Sequence, residues 1–307
     1  MRPFREVMLV TVLACAAAPA LTAQRANMTS LAGAIASRIA RVPGADVAVS
    51  FRDLATGDSL DLRADVDFHA ASTMKVPVMI EVLRAVEQHR LSLDQGILLV
   101  NSFPSIVDGS PFSVDARDDS DSSMYQRIGT RVTVRELLER MIVRSSNLAT
   151  NQLIELVGAS NADASARALG ATHIHVRRGV EDGKAFAAGL INTTTSADLA
   201  ILLVRIERNE ALSAEGGRLM KEILLRQEFN DEIPAGLPAG TPVAHKTGSI
   251  TATLHDAAIV YPPSRAPYVL VVLTRAIPDE KVASTLIADI SRLVWTQAVT
   301  PAAVTAR

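Results

Sequence analysis

Ser72 and Lys75 stand three residues apart in the run HAASTMKVPVM, residues 69–79. On a helix that spacing puts both side chains on one face. If the helix begins at Ser72, its Oγ and the lysine Nζ can meet at one point, where the positive end of the helix dipole favours negative charge. A lysine set among apolar neighbours loses stability as a cation, so its pKa falls and its amine can accept a proton. A serine beside such a base can attack a carbonyl carbon. Pro77, early in the same run, should distort the first turns. Alone, Ser-x-x-Lys is a weak pattern that many surface helices carry by chance.

Two further stretches add to it. Ser145-Ser146-Asn147 falls between two helical patterns in MIVRSSNLATNQLI. Serine and asparagine are preferred helix caps, so by itself this stretch reads equally well as a cap. Lys246-Thr247-Gly248-Ser249 closes the extended run PVAHKTGS, which by itself reads as a strand entering a turn. Chance accounts for each separately but poorly for all three in this order at these separations.

Chemistry at one point requires elements that bring these residues together. Residues 27–42 have helical spacing, with Leu31, Ile35 and Ile39 four apart and Pro43 as the stop. Residues 46–54 alternate like a strand, with Val47, Val49 and Phe51 on one face. The turn Ala55-Thr56-Gly57-Asp58 then leads to a hairpin partner at residues 59–63. At the other end, residues 257–261 and 268–274 are apolar strands joined by PPSRAP. Residues 279–296 follow as a helix with Val282, Leu286, Ile290 and Leu293 on one stripe and an acidic first turn that suits the dipole.

The middle of the chain is mostly helical. Thr133-Val134-Arg135-Glu136 is a capping box opening a helix that runs to about Val143. Residues 147–157 end at Gly158 and residues 160–169 at Gly170, and helices follow over 195–207 and 213–226. Residues 101–129, polar and rich in Ser and Asp, read as a long loop. The predicted class is α/β of the α+β kind. An antiparallel sheet flanked by helices is built from both chain ends, about residues 27–68 and 227–299, with an all-helical lobe of about residues 69–226 inserted. The crevice between two such lobes is a common place for a site.

Composition sets outer bounds. Of 307 residues, 48 % are hydrophobic and 21 % charged, ordinary for a globular chain. A formal net charge of −2 with no basic block offers nothing to nucleic acid or an anionic membrane surface. His173 and His175 are the one close histidine pair and lack a metal-binding spacing, so neither a metal nor a cofactor is expected. Arg2 and Arg5 precede an apolar stretch, residues 7–14, too short to span a bilayer. Small residues follow, the pattern of a secretory signal ending near Ala23. Segment 1–23 is thus read as a signal and 24–307 as a single catalytic domain without a transmembrane span, periplasmic or secreted. The single cysteine, Cys15, sits in VLAC, similar to a bacterial lipoprotein cleavage box. A lipid anchor at Cys15 and a discarded apolar residue are the two readings. No long apolar surface stripe stands out, and a monomer is expected.

Together the three short stretches resemble the motif set of the serine penicillin-recognising enzymes, most closely the class A β-lactamases. The likeness covers nearly all of the mature chain, including MKVPV after the serine, TTTSADLA, and HDAAIVYPP after KTGS. It implies Ser72 as the acylated nucleophile and Lys75 as its proton acceptor, directly or through water. It implies Ser145 as proton donor to the departing lactam nitrogen and Asn147 as the ligand of the acyl side-chain amide. Lys246, Thr247, Gly248 and Ser249 would form the substrate-binding segment that holds the substrate carboxylate, with Lys246 also keeping Lys75 from being a stable cation. The oxyanion hole would be the backbone N–H groups of Ser72 and of a residue just after Ser249. The family clears its acyl-enzyme with a glutamate in a loop before the TTT segment. Here that loop is RRGVEDGKAFAAGLIN, and Glu181 is the candidate base.

The chain also departs from the family pattern. Ala185 stands where an asparagine four residues after the glutamate usually helps hold the water. Asn192 stands where an acidic residue usually pairs with an arginine at the loop's start. Ser146 replaces the usual aspartate, and Leu254 and His255 stand where an arginine is usual, leaving Arg275 as a substitute carboxylate partner. These changes fall on deacylation and specificity and leave the acylation set intact. The leading expectation is a serine β-lactamase acting on a small-molecule substrate. A D-alanyl-D-alanine peptidase or an esterase shares the acylation motifs, as does a non-hydrolytic β-lactam or muropeptide sensor. Glu181 and Asp182 as merely solvated loop charges is the plain alternative for the loop.

Overall fold

The structure is a computed structural model and describes residues 17–299; the charged start, the apolar stretch and Cys15 lie outside the described residues. Helix α1 (Ala17–Ile39) leads into strands β1 (Asp46–Asp53) and β2 (Ser59–Leu62). Strand β3 (Phe68–His69), a 3-10 turn (Ala71–Met74) and α2 (Lys75–Glu87) follow. Next come β4 (Gly96–Leu98), β5 (Phe103–Pro104), β6 (Pro111–Phe112), a second 3-10 turn (Ser122–Arg127) and β7 (Arg131–Thr133). Helices α3 (Val134–Val143), α4 (Asn147–Val157), α5 (Ala159–Ala168) and α6 (Gly183–Ala187) precede β8 (Thr193–Thr194), α7 (Ser196–Glu207) and α8 (Ala214–Leu224). A third 3-10 turn (Pro234–Gly236) leads to β9 (Val243–Ile250), β10 (Thr253–Val260), β11 (Tyr268–Arg275) and α9 (Glu280–Val299).

The two ends of the chain share one five-stranded antiparallel sheet, ordered β2-β1-β11-β10-β9. Strand β1 pairs with β11 from Asp46 opposite Arg275 to Asp53 opposite Tyr268. Alternation sends successive residues of β11 to opposite faces. Tyr268, Leu270 and Val272 join Leu31 and Ile35 of α1 and Leu286 and Ile290 of α9 in one core. Val269, Val271 and Leu273 join the core shared with α2, α3, α4, α5, α7 and α8. Both faces are covered, which is why β11 reads as an unbroken apolar run.

Helix α2 runs through the second core, with α3, α4, α5 and α8 around it. Its residues from Lys75 to Leu83 are all buried, the mark of a helix with no solvent face. Pro77 is the third residue of α2, where its missing N–H has no intrahelical acceptor to lose. The expected distortion is confined to the 3-10 turn just before it, and α2 runs on unbroken to Glu87. Caps fall largely where residue types place them. Thr133 accepts from Glu136 N–H at 3.2 Å, and Thr195 and Ser213 cap α7 and α8 in the same way. The capping box at Thr133 is only half made, because the Glu136 carboxylate pairs with Arg127 and Arg140 instead. Strand β10 begins at Thr253, four residues before its apolar run, since His255 and Asp256 are buried with partners inside the sheet.

Candidate active site

The turn holding Ser72 packs against the edge strand β9 at Gly248. A Cβ there would lie 3.0 Å from Ser72 N and 3.1 Å from Thr73 N, so the close approach needs glycine. His69 Nδ1 accepts from Ala71 N–H at 3.0 Å and helps fix the turn. Three non-glycine residues here, Ala71 (φ 45°), Ser145 (φ 57°) and Glu181 (φ 64°), adopt the left-handed region. That conformation costs roughly 1–2 kcal/mol per residue, and strain of this kind collects at functional sites. Ser72 lines two adjoining clefts, one of about 450 Å³ and one of about 260 Å³.

Lys75 and Lys246 are both fully buried and converge on Ser145. Lys75 Nζ donates to the Ser145 carbonyl at 2.5 Å and to Asn147 Oδ1 at 2.9 Å, and lies 3.2 Å from Ser145 Oγ. Lys246 Nζ lies 3.0 Å from the same Oγ and donates to the Thr247 carbonyl at 2.8 Å. Burial, and then the charge of Lys246, hold the Lys75 pKa well below the usual lysine range. Burial brings Lys246 down to about 7, partly offset by Asp256 and Glu232. Two buried amines with lowered pKa values thus flank one hydroxyl.

Glu181 lines the larger cleft with Ser72 and Asn147. Its Oε1 accepts from Asn147 Nδ2 at 2.8 Å and its Oε2 from Asp115 N–H at 3.1 Å. Burial raises its pKa above the usual carboxylate range, opposed by those two hydrogen bonds. The plain alternative of solvated loop charges fails for Asp182 as well. Its carboxylate is buried, caps α6 through Ala185 N–H, and accepts from Ser105 Oγ and Ile106 N–H. Asn192 closes the neck of the loop without an ion pair. Its Oδ1 accepts from Arg177 and Arg178 N–H and its Nδ2 donates to the Arg178 carbonyl. Ala185 is fully buried and offers no amide to the site.

Residues 101–129 are not a free loop: they brace the site. Asp119 Oδ2 accepts from Asn147 N–H and Leu148 N–H, both at 2.9 Å, and from Tyr125 OH and Ser146 Oγ. It supplies a carboxylate at the start of α4 that Ser146 cannot. Asp108 and Ser110 hold Lys184 across the loop. Sequence reasoning missed Asp119 and Asp115. The available signal was the run DARDDSDSS, but nothing in it singles out one aspartate.

One expectation is overturned. Arg275 does not face the clefts: it pairs with Asp46, donates to the Asp67 carbonyl and sits 4.5 Å over the Phe68 ring. The other sequence candidates lie around the same clefts, although among the described residues no hydrogen bond joins Ser72 Oγ to Lys75 or Lys246. Ser72, Ser145, Asn147, Thr247, Gly248 and Ser249 share the smaller cleft, and Ser72, Asn147, Glu181 and Ser249 the larger. Exposed Phe186 and Ile250 also line the larger one.

This chain matches the family model described as "Beta-lactamase enzyme family" over residues 30–298. It is 32 % identical over 257 residues to beta-lactamase AST-1 of Nocardia asteroides, covering 82 % of this chain and 78 % of that one. A solved structure of PBP-A superposes with TM-score 0.76 at 29 % identity, over 87 % of this chain and 95 % of that one. A beta-lactamase from Sphaerobacter thermophilus DSM 20745 superposes with TM-score 0.76 at 26 % identity, over 88 % and 97 %.

Proposed function

Since the chain belongs to the beta-lactamase enzyme family, we propose that it hydrolyses the β-lactam amide through an ester on Ser72. The observation that carries this is the single hydroxyl, Ser145 Oγ, shared by two buried amines in the cleft that Ser72 lines. Neutral Lys75 has two N–H bonds and one lone pair. Ser145 O and Asn147 Oδ1 take the N–H bonds, so the lone pair is left for a hydroxyl proton. Hydrogen bonds to a nucleophile are often loose in a free enzyme and tighten with substrate.

Ser72 Oγ attacks the lactam carbonyl carbon and its proton passes to Lys75. The oxyanion is met by the Ser72 N–H and an N–H of edge strand β9, on which alternate N–H groups point away from the sheet. Ile250 pairs with Thr253 at the hairpin end, which turns its N–H toward β10, so that donor is assigned to Ser249 itself, not to the residue after it. When the C–N bond breaks, Ser145 Oγ gives its proton to the lactam nitrogen and is resupplied by the amines beside it. A water held by Glu181 and Asn147 then loses a proton to Glu181 and attacks the ester carbon. As the ester C–O bond breaks, the proton held by Glu181 passes to Ser72 Oγ, which restores both groups, and the ring-opened acid leaves. Lys246, Thr247 and Ser249 are assigned the substrate carboxylate.

The test is product formed per enzyme with a chromogenic cephalosporin. Sustained turnover is expected, and absence of both turnover and acylation would refute the proposal. A second reading, acylation without release, is favoured by one observation: Ala185 contributes no side-chain ligand for the water. Its signature is a burst of one equivalent and then nothing. Among the described residues no helix is long and apolar enough to cross a membrane. A cleaved signal over residues 1–23, a single catalytic domain over 24–307, export to the periplasm or medium and a monomeric state remain part of the proposal.

A further inference from the structure

Glu232 lies just before the 3-10 turn Pro234–Gly236 and is only 6 % exposed. It lines the smaller cleft together with Ser72, Ser145, Thr247 and Ser249. Its Oε2 is buried with no hydrogen-bond partner among the described residues. Leaving such an oxygen unpaired is costly, and an ionised one more so. A carboxyl in this position is at rest only when it carries a proton or meets a donor.

The charges around it point to the proton. Asp231 precedes it in the chain, Asp256 faces it from β10, and Glu280 from the start of α9, and all three disfavour ionisation. The cation nearby is Lys246 on β9, whose Nζ already serves Ser145 and Thr247. His245 on the same strand is engaged with Asp256. Asp118 and Glu280 also line the cleft, whose walls otherwise bear neutral side chains. An ionised Glu232 would therefore repel the carboxylate of a β-lactam, whereas a protonated one has an O–H to give it.

We propose that Glu232 is a specificity-determining residue, held as the neutral acid, that donates a hydrogen bond to the substrate's carboxylate beside Thr247 and Ser249. The assignment rests on the β-lactamase reading of the site. Burial, then Asp256 and Asp231, raise the Glu232 pKa to about 8, so the donor is present at neutral pH and lost above it.

The experiment is KM and kcat for a carboxylate-bearing cephalosporin from pH 6.5 to 9.5, in the unmutated protein and in Glu232→Gln, with the carboxyl ester of the same cephalosporin as control. KM for the acid is expected to rise about tenfold or more through pH 8, which is the loss of one charge-assisted hydrogen bond. Glu232→Gln keeps an N–H donor at every pH, so the step near pH 8 is expected to vanish, leaving only the rise that begins near pH 7 as Lys246 loses its charge. The ester is expected to show no rise even with the unmutated protein, which tests the idea without relying on a variant. A step near pH 8 that persists undiminished in Glu232→Gln would overturn the assignment, as would an equal rise for the ester. No turnover or acylation by the unmutated protein would refute the reading of the whole site, a result distinct from turnover with an unaltered profile.

Discussion

Glu181 is where residue chemistry decides between a hydrolase and an acyl-trap. Its pKa is raised by burial, and a general base must be ionised. The deacylation rate should therefore fall as pH drops through a value above the usual carboxylate range, and pre-steady-state kinetics with benzylpenicillin would locate that limb. Glu181→Ala should lower kcat by about 10²-fold or more and leave acyl-enzyme visible by mass spectrometry; unchanged deacylation would remove this residue from the mechanism. Ser72→Ala should prevent any acyl label. Ser72 stood out in the sequence through its spacing from Lys75, and Glu181 only through the resemblance to a family that carries a glutamate in this loop. Asp119 and Glu232 did not stand out, because a carboxylate that acts by what it touches across the fold looks like any other acidic residue in a polar run.

At the scale of elements, a buried side chain helps hold the start of α4 and another ties the sheet to the segment before Ser72. Asp119 caps α4 from outside the helix, so Asp119→Ala should cost about 1–3 kcal/mol, seen as a lower urea midpoint, and weaken acylation by loosening Asn147. His255 on β10 ties the segment before Ser72 to the sheet: Nε2–H donates to the His69 carbonyl while Nδ1 accepts from Thr274 N–H. Burial lowers its pKa from 6.5 to about 4. The unfolded imidazole takes up a proton below pH 6.5 while the folded one does not until about pH 4. Its contribution is complete above pH 6.5 and is lost as pH falls to 4, up to about 3 kcal/mol. The fall in melting temperature over that window should be shallower in His255→Gln. Caps and strand faces were readable from local pattern. The start of β10 was not, since its polar residues are buried only because distant segments supply their partners.

For the molecule as a whole, β1 against β11 closes the chain on itself, and Arg275 belongs to that closure. Arg275→Ala should lower thermal stability while leaving KM for an anionic lactam within about twofold, since the pair it breaks is partly exposed and lies away from the clefts. An equal loss of binding would return it to the site. The antiparallel sheet and its flanking helices follow from periodicity, but the bracing of the glutamate loop by residues 101–129 is a long-range contact that no local window contains. That bracing has a practical corollary. The amide proton of Asp115 rests on the Glu181 carboxylate. Its nuclear magnetic resonance shift should consequently follow the ionisation of that side chain, giving a built-in voltmeter for the site that works in the resting protein with no substrate present.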